Sequence, residues 1–355
     1  MPLRSLVTSR RLAGVVGVAV LGVLVWRAGP GQVWAALRTL SVPALLLAVA
    51  LNAPITLVRN LRTKLVLKRL GHDVGWWSLT RTQLAGQTLS NLTPAASGDL
   101  VRAWMWRRDD GVPGATGVAA VVYERVLSLV LLLGAGAAFF APTVAGPGAT
   151  AVICVGAALL IATPWVLARV APARHLAARL LALTSRLPVL RSRTEPLRRM
   201  GRAVGELAAD APLLGTFTLT TLAVFVLSGL QIWLLTAGLA TEAPEPTLTA
   251  ATGIYGLSQA GGSLSALPFG VGPADAVVVG LLMRTGIAFG LSTTVALLLR
   301  AAVTLPIALA AAAAVAAGRR DGTEADAEPL TLATWRQAGL PRPAPATDRE
   351  VPAWP

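Results

Sequence analysis

Cysteine, histidine and lysine are nearly absent from this chain, and each scarcity removes a class of chemistry. Cys154 is the only cysteine, so no disulfide within the chain can form, and its place in an apolar run makes it read as a small core residue. The two histidines, His72 and His175, stand in basic stretches without the spacing of metal ligands, so no metal site or cofactor is expected. Neither lysine, Lys64 or Lys68, follows a glycine; a phosphate-binding loop needs Gly-Lys-Ser/Thr, which sets aside a nucleotide-driven pump. Charge of either sign is scarce as well: 14% of the 355 residues are charged, where a soluble domain carries roughly one quarter.

What fills the chain instead is hydrocarbon, with 54% hydrophobic residues in long unbroken runs. Lipid offers backbone groups no hydrogen-bond partner, so segments that cross it must be helices or closed barrels. Alternating barrel strands do not occur here, and the chain is expected to be an all-α polytopic membrane protein. The net charge of +14 is almost wholly arginine and collects in loops, where the positive-inside rule accounts for it without nucleic acid.

Spans are expected near 12–26, 42–58, 114–140, 149–168, 212–240, 249–267, 274–290 and 292–317, eight in all. The first is read as an uncleaved span, since no small-x-small cleavage site follows it. The second is read as ending at Arg59, Arg62, Lys64, Lys68 and Arg69 on the cytoplasmic side. Arg-rich 169–211 is a basic cytoplasmic linker whose Leu-rich stretches lie on the anionic leaflet. Glu242 and Glu245 mark an outside loop, and Arg319 and Arg320 a cytoplasmic exit, which places the chain in the plasma membrane with both termini cytoplasmic. Residues 1–320 thus form the transmembrane domain, and the Pro-, Ala- and charge-rich 321–355 a disordered cytoplasmic tail.

Between Trp76 and Arg108 the pattern is too polar for a lipid-facing span, and Pro94 and Gly98 break it before Asp99 to Trp106 resume. This predicts a re-entrant or broken helix pair; the alternative is a cytoplasmic amphipathic helix. Charges within apolar stretches each need a partner or a function, and they are Asp99, Arg102, Glu124, Arg125, Asp275, Arg284 and Arg300. Asp99 and Arg102 are spaced to share a helix face, whereas Glu124 and Arg125 are adjacent, diverge, and need partners elsewhere. Positions also recur: Pro94 and Pro268 are 174 apart, Asp99 and Asp275 are 176, and Arg125 and Arg300 are 175. With the orientation above the two units run in opposite senses, an inverted repeat. Interrupted helices in such halves point to a transporter's central site, each half-helix offering an uncapped positive end to an anion.

Four stretches carry a resemblance. Asn91-Leu-Thr-Pro94-Ala-Ala-Ser-Gly98-Asp99-Leu-Val-Arg102, Tyr123-Glu124-Arg125-Val-Leu, Leu267-Pro268-Phe-Gly270-Val-Gly272-Pro-Ala-Asp275 and Leu299-Arg300 resemble, in order, the motifs of the lysylphosphatidylglycerol synthase transmembrane family. The resemblance implies a flippase-like domain that moves an anionic phospholipid or a polyprenyl-linked lipid between leaflets, with Asn91, Pro94, Gly98, Asp99, Arg102, Glu124, Arg125, Pro268, Gly270, Gly272, Asp275 and Arg300 as substrate-binding candidates. Ser128 stands where the family has an acid, and Pro273 and Asp275 where it has a denser glycine run and Glu. Only a short tail follows Arg320, so the namesake's cytosolic synthase domain and its aminoacyl transfer are not expected. The expected partners are a lipid with an anionic head group and the anionic leaflet surface, with no nucleic acid. The alternative reading is a membrane-embedded enzyme, or an assembly factor for envelope-synthesis enzymes, acting on lipid-linked precursors.

Overall fold

The computed structural model describes residues 22–92, 98–169, 194–239, 245–264 and 272–320. Most of the expected first span, the motif residue Pro94, Pro268 and Gly270 of the last motif, and the tail lie outside the described residues. Within them the chain is helical, and an isolated antiparallel bridge pairs Leu40 with Leu239. After a helical turn over 22–28 come α1 (Pro30–Arg38), α2 (Val42–Ala50), α3 (Asn52–Arg69), α4 (Trp76–Leu92), α5 (Gly98–Asp110), α6 (Gly114–Val144) and α7 (Pro147–Arg169). Beyond these lie α8 (Thr194–Ala209), α9 (Ala211–Ala237), α10 (Leu248–Leu264), α11 (Pro273–Arg284), α12 (Phe289–Leu299), a π-helical turn (Arg300–Thr304) and α13 (Leu305–Arg320).

Among the described residues, four helical stretches are long and apolar enough to cross a membrane: Val42–Arg69, Gly114–Val144, Ala211–Ala237 and Phe289–Ala314. The first runs on past Arg59 to Arg69, so the expected boundary near residue 58 falls short. Its regular helical pattern is interrupted at Leu51, where α2 gives way to α3 with the backbone still helical. Pro54, three residues on, has no N–H for the preceding turn. Side-chain amides fill in, with Asn52 Nδ2 donating to the Val49 carbonyl (2.9 Å) and Gln231 Nε2 to that of Ala48 (2.8 Å).

The expected span at 274–290 is not one helix. The α11 helix has 12 residues, about 18 Å at 1.5 Å per residue, against a hydrocarbon core of about 30 Å. It stops because Gly286 takes φ +95°, letting its N–H reach the Met283 carbonyl (3.0 Å) and Ile287 N–H reach that of Leu282 (3.2 Å). A second broken unit therefore matches the first. Helices α4 and α5, of 17 and 13 residues, pack together as a hairpin, as do α10 and α11, of 17 and 12.

The hairpin helix α10 sits at the centre, packed between α6 and α9. Glycines permit this closeness: a Cβ on Gly256 would lie 2.8 Å from the Gly136 Cα, and one on Gly253 2.6 Å from the Phe140 nitrogen. In lipid, where burying apolar surface gives helices no drive to associate, such backbone contact supplies the packing. By contrast α7 lies outside, and Cys154 is exposed on it together with Val152, Val155 and Leu159, not in the core. A uniformly apolar helix leaves no stripe in its sequence to tell lipid-facing from bundle-facing positions. Substituting Gly256→Val should separate α6 from α10 and lower unfolding stability by about 1–3 kcal/mol, measured as a drop in thermal midpoint in detergent; an unchanged midpoint would refute the close packing.

Candidate functional site

Polar residues converge where the two hairpins meet. A cavity of about 340 Å³ is lined by the first hairpin (Gln87, Ser90, Asp99, Arg102), by the second (Tyr255, Ser258, Gln259, Asp275) and by α3, α6, α9 and Arg300. Among the described residues its lining carries five arginines, Arg59, Arg62, Arg102, Arg125 and Arg300, against Asp99, Glu124 and Asp275, a formal excess of two positive charges.

Each acid holds an arginine. Arg102 Nη2 donates to Glu124 Oε2 (3.1 Å) and to Thr63 Oγ1 (3.0 Å), while the Thr63 hydroxyl donates to Glu124 Oε1 (2.7 Å). Arg125 pairs with Asp99, whose other oxygen lies 3.5 Å from Arg102 Nη1. The i,i+3 pair of Asp99 and Arg102 thus exists, but the closer partners come from α6. Arg300 makes a two-pronged contact with Asp275, Nε to Oδ1 at 3.0 Å and Nη2 to Oδ2 at 2.9 Å. The two halves repeat this geometry: an acid in the first turn of the short hairpin helix meets an arginine on the next long helix.

The start of α11 is not left uncapped, contrary to the sequence expectation. Asp275 Oδ2 accepts the N–H of Gly272 (3.0 Å), so the acid placed three residues along neutralises the end of its own helix. Gly98 is closed in by the Gly86 carbonyl and Ser90 of α4, and Gly86 itself leaves room for the stem of Arg102, with Cδ 2.6 Å from where a Cβ would stand. Asn91 lies in the last turn of α4.

Arg300 owes its aim to the π turn it begins. The N–H of Leu305 bonds the Arg300 carbonyl, five residues back, one more than in an α-helix. Pro306 explains the widening: it offers no N–H to Ala302, whose carbonyl accepts Asn52 Nδ2 instead (2.7 Å).

Arg59 and Arg62 were missed as site residues because charges ending an apolar run read as its exit. A different signal was available: Asn52, Ile55, Arg59 and Arg62 recur at helical spacing and all line the cavity. Both arginines are bound to neutral groups. Arg59 donates to Gln87 Oε1 and to the Tyr255 hydroxyl, each at 3.0 Å, and Arg62 to Thr221 Oγ1 (3.1 Å) while lying over the Phe217 ring.

Apolar helices long enough to span, set around a paired, cationic polar cavity, define an integral membrane protein with a polar interior. The family model for the lysylphosphatidylglycerol synthase transmembrane region matches residues 12–311, and the chain belongs to that family. A UPF0104 membrane protein of Methanothermobacter thermautotrophicus is 32% identical over 115 residues, covering 32% of this chain and 34%, about a third, of the relative.

The charged partners of Glu124 and Arg125 are two different residues of α5, Arg102 and Asp99, of opposite sign, so exchanging the two residues cannot restore either pair. The double variant E124R/R125E sets arginine against Arg102 and glutamate against Asp99. It should lower the thermal midpoint further than E124Q, itself expected to cost about 3–5 kcal/mol by orphaning a buried charge; a swap as stable as the parent would contradict this geometry.

Proposed function

We propose that the protein is a flippase-like transporter that moves a lipid with an anionic head group, a phospholipid or a polyprenyl-linked lipid, between leaflets. The observation that carries this reading is the cationic excess of a polar cavity set among apolar spanning helices. A positive interior attracts a head group that hydrocarbon rejects, while the tails of the lipid stay in the bilayer. The head group lies between the helix starts at Gly98-Asp99 and Gly272-Asp275, with Arg125 and Arg300 beside it. Of the three paired arginines Arg125 is the most open, its side chain 46% exposed. Membership of a family named for a lipid synthase's membrane region supports the lipid as cargo and does not require a reaction here.

The topology that goes with it places the chain in the plasma membrane with both termini cytoplasmic. Six crossings, at the first span, α2–α3, α6, α7, α9 and α12–α13, take the place of eight, because α11 is too short to cross. Hairpin α4–α5 enters from the cytoplasmic side, flanked by Arg69 and Arg107, and α10–α11 from outside, so that the first turns of α5 and α11 face the same cavity. The amphipathic α8, with Arg199 and Arg202, rests on the anionic inner leaflet.

Two measurements test this. Proteoliposomes containing the protein should expose fluorescent phosphatidylglycerol of the inner leaflet to an external quencher faster than protein-free vesicles do, and faster than phosphatidylcholine; equal rates in all cases would end the proposal. In a C154A background, cysteine placed at Gly146 or Glu245 should react with an impermeant thiol reagent from outside, and cysteine at Arg199 should not. External labelling at Arg199 would overturn the topology.

A further inference from the structure

Arg102, Arg125 and Arg300 already face carboxylates, which leaves open what the remaining positive charge in the cavity is for. Arg59 and Arg62 are three residues apart on one face of α3, so their guanidinium groups repel each other across about one helical turn. On the helix Arg59 lies ten residues and Arg62 seven from the end at Arg69, about 15 and 10 Å. Among the described residues no carboxylate lies within ion-pair reach of either. Glu124 attracts Arg62 without an ion-pair contact, and two cations so lightly compensated among apolar helices are costly unless something anionic visits them.

The donors around the pair are arranged for such a visitor. Arg62 Nε is buried without a hydrogen-bond partner, and so is Arg102 Nε one helix away. The Tyr255 hydroxyl accepts from Arg59 Nη2, which leaves its own proton available to a further acceptor. Its ring is fixed edge-on against Phe225, with centroids 5.6 Å apart, and its place on α10 brings the second hairpin against α3. Thr221 by contrast has its proton committed to the Phe217 carbonyl at 2.7 Å, so it only holds Arg62 in place.

Resting on the lipid-transport reading above, we propose that Arg59, Arg62 and the Tyr255 hydroxyl form the seat of the head group's phosphate, and that the arginines paired with Asp99, Glu124 and Asp275 frame the site without being its primary anion contacts. The ligand class is a lipid phosphate with at least two unshielded oxygens, one for each guanidinium, with the phenol donating to either.

The test uses the full-length protein in detergent, dioctanoyl phosphatidylglycerol and inorganic phosphate as probes, and binding read by isothermal titration beside thermal midpoint. The parent should bind the short-chain lipid more tightly than inorganic phosphate, with the two competing. R59Q and R62Q should each weaken lipid binding at least tenfold, the loss of one charge-assisted hydrogen bond, at an unchanged or raised midpoint because repulsion is relieved. Y255F, which alters no charge, should weaken it severalfold. Lipid binding unchanged in R59Q, R62Q and Y255F while R125Q abolishes it would overturn the seat and leave the transport reading standing. A parent that binds neither probe would overturn both. Loss of binding only in step with a falling midpoint, or failure of the arginine variants to fold, would mark the pair as structural and overturn the seat, as would a Y255F protein that folds and binds like the parent. Binding of inorganic phosphate but not of the lipid would assign the seat to a free anion and overturn the lipid phosphate.

Discussion

A charge held between layers of hydrocarbon must find a counter-charge or a dense set of dipoles, and the fold is organised around meeting that demand. Asp99 and Asp275 sit in the first turns of helices too short to cross a membrane, and each is tied to an arginine on a longer helix further along the chain. The ties anchor the inner ends of both hairpins. Glu124 adds a cross-link through Arg102 and Thr63, joining α3, α5 and α6. Removing one member of such a pair orphans the other at depth, so the pairs serve as positional constraints and not as a surplus of stability.

Much of this was legible in the sequence, and for identifiable reasons. Polar residues over 76–92 followed by Pro94 and Gly98 could not face lipid, and the structure has a hairpin there. The offsets near 175 residues placed Asp99 with Asp275 and Arg125 with Arg300, and each acid contacts the arginine one helix later. The second hairpin was harder to see because α10 and α11 are almost as apolar as true spans; what separates them is length, set by the Schellman-type stop at Gly286.

Side-chain direction was the larger gap. A run of Arg59, Arg62, Lys64, Lys68 and Arg69 satisfies the positive-inside pattern as a block, although its side chains point in different directions. Lys64 does reach outward, to Asp73 in the loop, whereas Arg59 and Arg62 turn inward onto Gln87, Tyr255 and Thr221. Hydropathy averages over all faces of a helix and cannot make that distinction; the 52-55-59-62 spacing can. The same averaging hid the outward aim of Cys154, and no composition rule would have supplied the cap that Asp275 gives its own helix.

The π turn at Arg300 has a geometric corollary. Holding one residue more than an α turn, it offsets the helical register of α13 from that of α12 by about 100°. The face of α12 that meets α11 is therefore not continued by the same face of α13, which packs on α4. One continuous helix thereby touches both hairpins, serving one before the offset and the other after it. The side chain at the offset is the arginine that grips Asp275, and the amide that stabilises it, Asn52, belongs to the helix carrying Arg59 and Arg62. A small axial slip of that turn would be felt on both sides of the cavity together.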